Sequence, residues 1–256
     1  MIDRRENSGM SVVTILGSAN AVPKIGQDNT HLLIQANHKT VMVDCGDNPV
    51  AKLAAAGSHI NQVNDLILTH FHADHMGSLP LLIMDMWLEK RESPLTIHGL
   101  EITLSKARSL LEVFNWQDWK GMFPVNFNVI PDAGHEGFIL DEDLAISTLM
   151  VQHLVPTIGL RIEIMGKKVI AYSCDTEPCE NVLKLASQAD VLLQEAAGEG
   201  KGHTSPAQAG WLATRAGVKK LVLIHYDSRI DEERLLADAR SEFTGEVVLA
   251  KDMMLV

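Results

Sequence analysis

Disulfide-forming cysteine is scarce in this chain. Cys45, Cys174 and Cys179 are the full set, an odd number without scaffold spacing. That excludes a disulfide-stapled secreted module and fits a reducing cytoplasm. Unbroken apolar runs are also missing: none is long enough to cross a bilayer, so no membrane partner is expected. The opening residues, Met1 to Met10, are polar and lack the apolar centre of a secretory signal, so a cytoplasmic protein is expected. They read as a disordered tail ahead of one domain over residues 11–256. Positive charge is in the minority, with 22 Lys and Arg against 33 Asp and Glu and a formal net charge of -11. Such a surface argues against a broad electrostatic footprint for nucleic acid and leaves only a local basic patch open. No repeat, low-complexity tract, charge block or linker interrupts the sequence. What is present is apolar: 46% of 256 residues, enough for a substantial core.

The densest chemistry is T-H-F-H-A-D-H-M-G, Thr69 to Gly77. It follows a short apolar run, Asp65 to Leu68, that reads as a buried strand. A solvated loop would account for one histidine. Four ligand-type side chains directly behind a buried strand point instead to metal. Side chains alternate along a strand, so His70 and His72 should share a face and one ion. Asp74 and His75 fall where the chain must turn and can face the same cavity with a second ion. Gly77 allows an unusual backbone angle or a close approach, and Leu79 to Trp87 reads as a helix leaving the site.

Elsewhere, strands are predicted over Ser11–Gly17, His31–Gln35, Thr40–Asp44, Pro94–Gly99, Val125–Ile130, Leu144–Val151, Gly159–Met165, Lys168–Ser173, Asp190–Gln194, Lys220–Ile224 and Glu246–Ala250. Helices are predicted over Pro49–Gly57, Ser78–Lys90, Ser105–Val113, Glu180–Gln188, Ser205–Ala216 and Asp231–Phe243. Ser205 followed by Pro206 is a helix-start signature. The two halves each supply strands and then helices. The aromatic stretch Phe114 to Pro124, with Met84, Met86 and Trp87, reads either as a substrate-cleft lining or as a satellite core under a loop.

The string His70-x-His72-x-Asp74-His75 resembles the signature of the metallo-β-lactamase superfamily. The wording N-D-L-I-L-T-H-F-H-A-D-H-M-G-S-L-P-L-L resembles its ribonuclease Z branch. So do Leu16-Gly17-Ser18, Pro23, Asn29-Thr30 and Asp44-Cys45-Gly46-Asp47, and the later V-Q-H-L-V-P-T-I-G-L-R-I, Y-S-C-D-T and L-V-L-I-H-Y-D-S-R. The resemblance implies an α/β fold, a four-layer αββα sandwich with the metal site on the rim of its two sheets. It implies two zinc ions; the ligand chemistry itself, imidazole and carboxylate without thiolate, suits zinc, manganese or iron. His70, His72 and His153 would hold the first ion, Asp74, His75 and His225 the second, and Asp175 would bridge them. Asp44 would orient a metal-bound histidine; spacing alone leaves a strand-ending turn equally open. Glu195 and His203 resemble the family's H-E-A-T and H-S-T motifs and would act, with Asp74, in catalysis, His203 as a general acid oriented by Glu195. Here the pattern departs: Gln194 and Ala197 replace its His and Thr, and Thr204-Ser205 is reversed. The family usually has Gly at Cys174, which reads as a small buried residue. His31, His38, His59, His98 and His135 match no ligand position.

Histidine at position 72, where a di-iron branch has Glu, favours zinc and hydrolysis. Two divalent ions sharing a water bring its pKa from about 15.7 towards roughly 7, giving hydroxide at neutral pH. The expected activity is phosphodiester hydrolysis. A lactone or sulfate ester, and a metal-binding module without turnover, remain the alternatives. Many ribonuclease Z enzymes carry a long tRNA-gripping arm between the motifs of His153 and Asp175. Here that interval holds only two strands and a Gly166-Lys167 turn. RNA is therefore not favoured, and a small diester is. Lys201, Arg161 and Arg229 are the cations expected near the site, with Lys201 and Arg229 as candidate phosphate contacts. Dimers are common in the resembling family, so a homodimer stays open.

Overall fold

The computed structural model of the protein describes residues 11–256; the expected tail over 1–10 lies outside the described residues. In chain order the first half forms β1 (Val12–Gly17), β2 (His31–Gln35), β3 (Thr40–Val43), α1 (Pro49–Ala55), β4 (Asp65–Ile67), α2 (Ala73–Met76), α3 (Leu79–Leu88), β5 (Leu95–Gly99), α4 (Glu101–Glu112) and β6 (Val125–Val129). The second half forms β7 (His135–Leu140), β8 (Leu144–Val151), β9 (Thr157–Ile164), β10 (Lys168–Tyr172), α5 (Glu180–Ala186), β11 (Val191–Glu195), α6 (Pro206–Ala216), β12 (Lys220–Ile224), α7 (Glu232–Arg240), β13 (Glu246–Leu249) and β14 (Met254–Leu255).

Two seven-stranded sheets result, ordered β14-β1-β2-β3-β4-β5-β6 and β13-β12-β11-β10-β9-β8-β7. Each opens with antiparallel pairs and continues in parallel, from β3 to β6 and from β10 to β13. Parallel neighbours need a crossover connection, and the helices supply most of these. Only β14 breaks the division: the chain end returns to the first sheet, pairing Ile15 with Met254.

Alternation along the strands sorts the apolar residues into three clusters. Ile15, Leu32, Ile34 and Val41 meet Ile146, Ile162, Leu193 and Val222 between the sheets. Leu33, Met42 and Leu66 turn outward onto Leu82, Ile83 and Leu104 of α3 and α4. Ala171, Leu192 and Leu221 turn outward onto Leu185, Leu212 and Leu235 of α5, α6 and α7. Helix, sheet, sheet, helix is the four-layer architecture. Among the described residues no helix is long and apolar enough to cross a membrane.

Local signals set several boundaries. Ser205 and Gln208 form a capping box at α6, Pro206 begins it, and Gly217 ends it at φ 68. Helix α4 starts at Glu101 rather than near Ser105, directly after β5, with Leu100 as an unbonded N-cap. Strand β7 is absent from the sequence reading because its pairing slips between His135 and Ile139, which disrupts the two-residue period. The aromatic stretch is a satellite core: Trp116 and Phe123 are buried in the outer cluster, and the Trp87 and Trp119 rings lie 5.2 Å apart.

His98 is buried and structural. Its Nε2 pairs with Asp65 Oδ1 at 2.8 Å, while Lys39 Nζ reaches Asp65 Oδ2 at 2.9 Å. Burial pushes the Asp65 carboxyl up, but His98 and Lys39 outweigh it and hold the carboxyl below its usual range. A depressed carboxylate contributes stability above its unfolded pKa, and that contribution is lost as pH falls through the lower folded value. Asp65→Asn should therefore cost about 1–3 kcal/mol at neutral pH and flatten the acid limb of stability below pH ~4. Urea unfolding at several pH values checks this; an unchanged acid limb would remove Asp65 from the account.

Candidate metal centre

The cluster is built from strand ends. Asp44 follows β3, Thr69 to His75 follow β4, His153 follows β8, Asp175 follows β10 and His225 follows β12. Asp44, Cys174 and His225 adopt left-handed backbone, with φ of 63, 52 and 53. That costs a non-glycine residue on the order of 1 kcal/mol or more. Each marks the point where the chain turns off its strand. The Asp44 N–H donates to Ile67 O at 2.8 Å and the His225 N–H to Ser18 O at 2.9 Å, fixing two of these turns.

The expected alternation of His70 and His72 holds by a different route. Both lie beyond β4, in loop rather than on the strand, because the ladder to β3 and β5 ends at Ile67. Phe71 between them packs into the outer cluster, so the two imidazoles still share a side. His72 is extended, with φ -71 and ψ 151, and caps α2, which carries Asp74 and His75. Gly77 has an ordinary φ of -61. Its use is close approach, since a Cβ there would run into the Ala73 carbonyl oxygen.

Among the described residues, ligand-type atoms converge in three groups: His70, His72, His153 and Asp175; Asp74, His75 and His225; and His70, His75 and Cys174. His72 Nδ1 lies 3.1 Å from His70 Nε2 and 3.2 Å from His153 Nε2. Asp175 stands between the first two groups. Its Oδ2 is 3.8 Å from His153 Nε2 and 3.3 Å from His225 Nε2, and its Oδ1 is 3.5 Å from His75 Nε2. His75 Nε2 is also 3.5 Å from Asp74 Oδ2.

The outward Nδ1 edges of His70, His75, His153 and His225 are engaged, which fixes what their inward edges present. His75 Nδ1 meets Asp44 Oδ2 at 2.8 Å, and His153 Nδ1 donates to Gly202 O at 2.7 Å. His225 Nδ1 meets Thr30 Oγ1 at 3.2 Å, and that hydroxyl donates to Ala19 O. Thr69 Oγ1 links His70 Nδ1 at 3.1 Å to the Asp44 carboxylate. Thr30 and Thr69 had no role in the sequence reading; their place beside a ligand or within its motif was the available signal. Burial keeps His70 well below its usual pKa and takes His225 down to about 4. His75 is buried too, but Asp175 and Asp44 outweigh burial and raise it. Burial opposes ionisation of Asp175, yet His225 and His75 hold it well below the carboxylate range. His75 Nε2 and Asp175 Oδ1 are buried without a hydrogen-bond partner. Orphaned lone pairs facing one point are what a bound cation satisfies, so the residues fit the implied metal.

Cys174 is not part of that inward set. Its Sγ lies 3.7 Å from His70 Nδ1, the back edge of the ring, and burial pushes its thiol well up. The left-handed φ there explains why the resembling family favours Gly at this position.

Beside the cluster, His203 Nδ1 pairs with Glu195 Oε1 at 3.0 Å. Glu195 is buried and also accepts the N–H groups of Thr176, Ala197 and Thr204 at 3.2, 2.8 and 2.9 Å. Burial drives Glu195 up to about 7, and its bond to His203 pulls against that. The same bond raises His203. Four donors converging on one carboxylate place the pair's shared proton on the imidazole.

A family model described as anti-Pycsar protein Apyc1 matches residues 11–248. The chain belongs to the Apyc1 family. Curated relatives include ribonuclease Z of Methanothermobacter thermautotrophicus, 25% identical with 96% of each chain covered, and ribonuclease Z of Mycolicibacterium gilvum, 29% identical with 95% of each covered. Among solved structures, the metallo-β-lactamase fold protein YhfI from Bacillus subtilis superposes with a TM-score of 0.80 at 22% identity, covering 96% of this chain and 98% of that one. Human short-form tRNase Z (ELAC1) gives 0.76 at 21%, with the same coverage. This Apyc1-family chain therefore has the metallo-β-lactamase fold, is similar to ribonuclease Z and is a metal-dependent hydrolase.

The expected cations are differently placed. Arg161 is engaged on the far side of its sheet: it donates to Leu185 O and Ser187 O at the end of α5 and pairs with Glu163. Arg229 is exposed, with its guanidinium folded onto Asp227 at 2.7 Å. Lys201 is exposed in the loop that carries His203. Of the other histidines, His31 is buried and donates Nδ1 to Asn29 O, and His38 and His59 are surface residues; the His135 side chain lies outside the described residues. The centre opens on one side: the side chains of His203 and Asp74 are 28% and 15% exposed, whereas His70, His75 and His153 are fully covered. A cavity of about 660 Å³ flanks Asp74, lined by Asp28, Asn29, Asp47, Asn48 and Ser78.

Proposed function

We propose that the cluster holds two zinc ions, with manganese able to substitute, and hydrolyses small phosphodiesters. His70, His72 and His153 serve one ion, Asp74, His75 and His225 the other, and Asp175 both. The observation carrying this reading is the convergence of seven ligand side chains, four of which, His70, His75, His153 and His225, are held by hydrogen bonds on their outward Nδ1 edges. Imidazole and carboxylate without thiolate suit these ions. When bound, such ions bring the pKa of water to about 7 and neutralise charge on a phosphoryl oxygen.

The chain's own residues orient and move protons. Asp44 receives the Nδ1 edge of His75 and the Thr69 hydroxyl, so one buried carboxylate aims two ligand positions. Asp74 stands at the open side, where its carboxylate orients the attacking water. His203 faces the same opening and carries the proton that a leaving oxygen needs, with Glu195 holding the ring by Nδ1 and leaving Nε2–H as the donor.

The diester class rests on the ribonuclease Z relatives, and the small size rests on this chain. Its alignment to the Methanothermobacter relative runs over 303 positions, more than the 256 residues present here, so that relative carries residues without a counterpart. The stretch between His153 and Asp175 holds only β9, β10 and a tight turn at Gly166, φ 69. With Arg161 and Arg229 engaged, Lys201 remains for phosphate contact, too little cationic surface for tRNA-type affinity.

The test compares kcat/KM on bis-nitrophenyl phosphate, a 3′,5′-cyclic mononucleotide, a dinucleotide and a precursor tRNA, each with zinc or manganese. Measurable turnover of small diesters with slow or no tRNA cleavage is expected. Efficient, accurately placed cleavage at the tRNA 3′ end would overturn the substrate size. Turnover of only a lactone or a sulfate ester would overturn the diester class.

A further inference from the structure

Glu177 lies two residues past Asp175, and its carboxylate is spent entirely on holding two loops. Oε1 accepts the Gly202 N–H at 2.8 Å, and Oε2 accepts the Gln152 side-chain amide at 3.1 Å. Its backbone N–H donates to Gln152 O at 2.7 Å, closing an isolated bridge between the two residues. Gln152 precedes His153, and Gly202 precedes His203. The Gly202 peptide is thus fixed on both sides. Its N–H is taken by Glu177, and its carbonyl receives His153 Nδ1–H at 2.7 Å.

Gly202 is the residue such a seat requires. Its φ is +84, and a Cβ would lie 2.9 Å from His153 Nδ1 and 2.9 Å from Leu154 Cγ. Any other residue would be strained in backbone and would lift the loop off the imidazole.

We propose that Glu177 is a positioning residue that couples the metal ligand His153 to the proton donor His203 by clamping the loop over residues 198–203. This rests on the roles proposed above for those two histidines. The carboxylate orders the loop, the ordered Gly202 carbonyl fixes the His153 tautomer with Nε2 facing inward, and the next residue, His203, is placed beside it. The ring centroids of His153 and His203 are 5.1 Å apart. Partners of this kind typically change metal affinity or activity by about 10- to 100-fold when lost.

Glu177→Ala, Glu177→Gln and Gly202→Ala test the coupling with two readouts that need no substrate. Backbone hydrogen exchange in the metal-free protein should rise over 198–203 in Glu177→Ala and stay at wild-type rates in the β9–β10 hairpin. Zinc competition against a chromogenic chelator should show one of the two ions bound about tenfold or more weakly. Gly202→Ala should reproduce the zinc effect, and Glu177→Gln, which keeps one acceptor oxygen for Gly202, should recover most of it. Unchanged exchange or unchanged zinc affinity in Glu177→Ala overturns the proposal. Equal loss in the Gln and Ala variants overturns it as well, since that would make the side chain a matter of charge and not of seating. Absence of any diester turnover in the wild type would count against the proposed function, while the exchange and zinc readouts would still decide the clamp.

Discussion

Asp175→Ala should empty the centre rather than weaken one half of it. The wild-type protein saturated with zinc is expected to hold two ions per chain, and the variant should retain less than one after desalting. The reason is geometric. Asp175 reaches both groups: its Oδ2 faces His153 of the first and His225 of the second, and its Oδ1 faces His75 of the second. Its loss removes a ligand from each proposed position and the buried negative charge between five imidazoles. The mutual repulsion of two cations then has no anion to offset it. Turnover of an activated diester should fall roughly 1,000-fold or more, about 4 kcal/mol of transition-state stabilisation. His70→Ala is the comparison: it removes one ligand of the first group and should leave the second ion in place. Elemental analysis after gel filtration reads both. One tightly held ion, unchanged in Asp175→Ala, would sink the two-ion scheme. The metal-free fold should survive the substitution, because the carboxylate leaves the sheets untouched, and a circular-dichroism melt without metal confirms that the loss is one of binding.

What the sequence carried and what it did not follow from where each interaction is encoded. Ligand residues crowd into one short string, and the remaining ones each follow a β-branched or Leu-rich run, so strand ends and ligands could be read together. The seven side chains come together in the structure because those runs become strands whose carboxyl ends share a rim. Sheet pairing is a different matter. Strand β7 slips register and β14 has two residues, so neither leaves a periodic trace. Side-chain destinations across loops were equally hidden. Arg161 reads as a cation near the site, but its place on β9 sends it to the carbonyls at the end of α5. Glu177 belongs to none of the motifs read from the sequence, and only the fold brings Gly202 and Gln152 to it. The family departure at Cys174 shows the converse: a left-handed φ of 52 at that position gives a physical reason for Gly elsewhere and a backbone cost here.

His203→Ala should separate proton donation from metal binding. The side chain belongs to none of the converging ligand groups, so zinc content should stay at the wild-type level. Turnover should fall, and by how much depends on the leaving group. A nitrophenolate leaves without protonation, so a loss of roughly tenfold is expected on the activated diester. An alkoxide such as a ribose oxygen must be protonated, and there the loss should approach 100- to 10,000-fold, the usual range for a general acid. The pH profile should agree in sign. The bond to Glu195 raises His203, so its acid form persists to higher pH than in a free imidazole. Wild-type kcat on the poor-leaving-group substrate should therefore decline as pH rises through that raised value, and the decline should vanish in His203→Ala. Glu195→Gln removes the charge that holds the proton, so it should shift the decline to lower pH while keeping the ring in place. Equal losses on both substrates, or an alkaline limb that survives in His203→Ala, would take the proton-donor role away from His203 and leave it as a residue that shapes the open side of the centre.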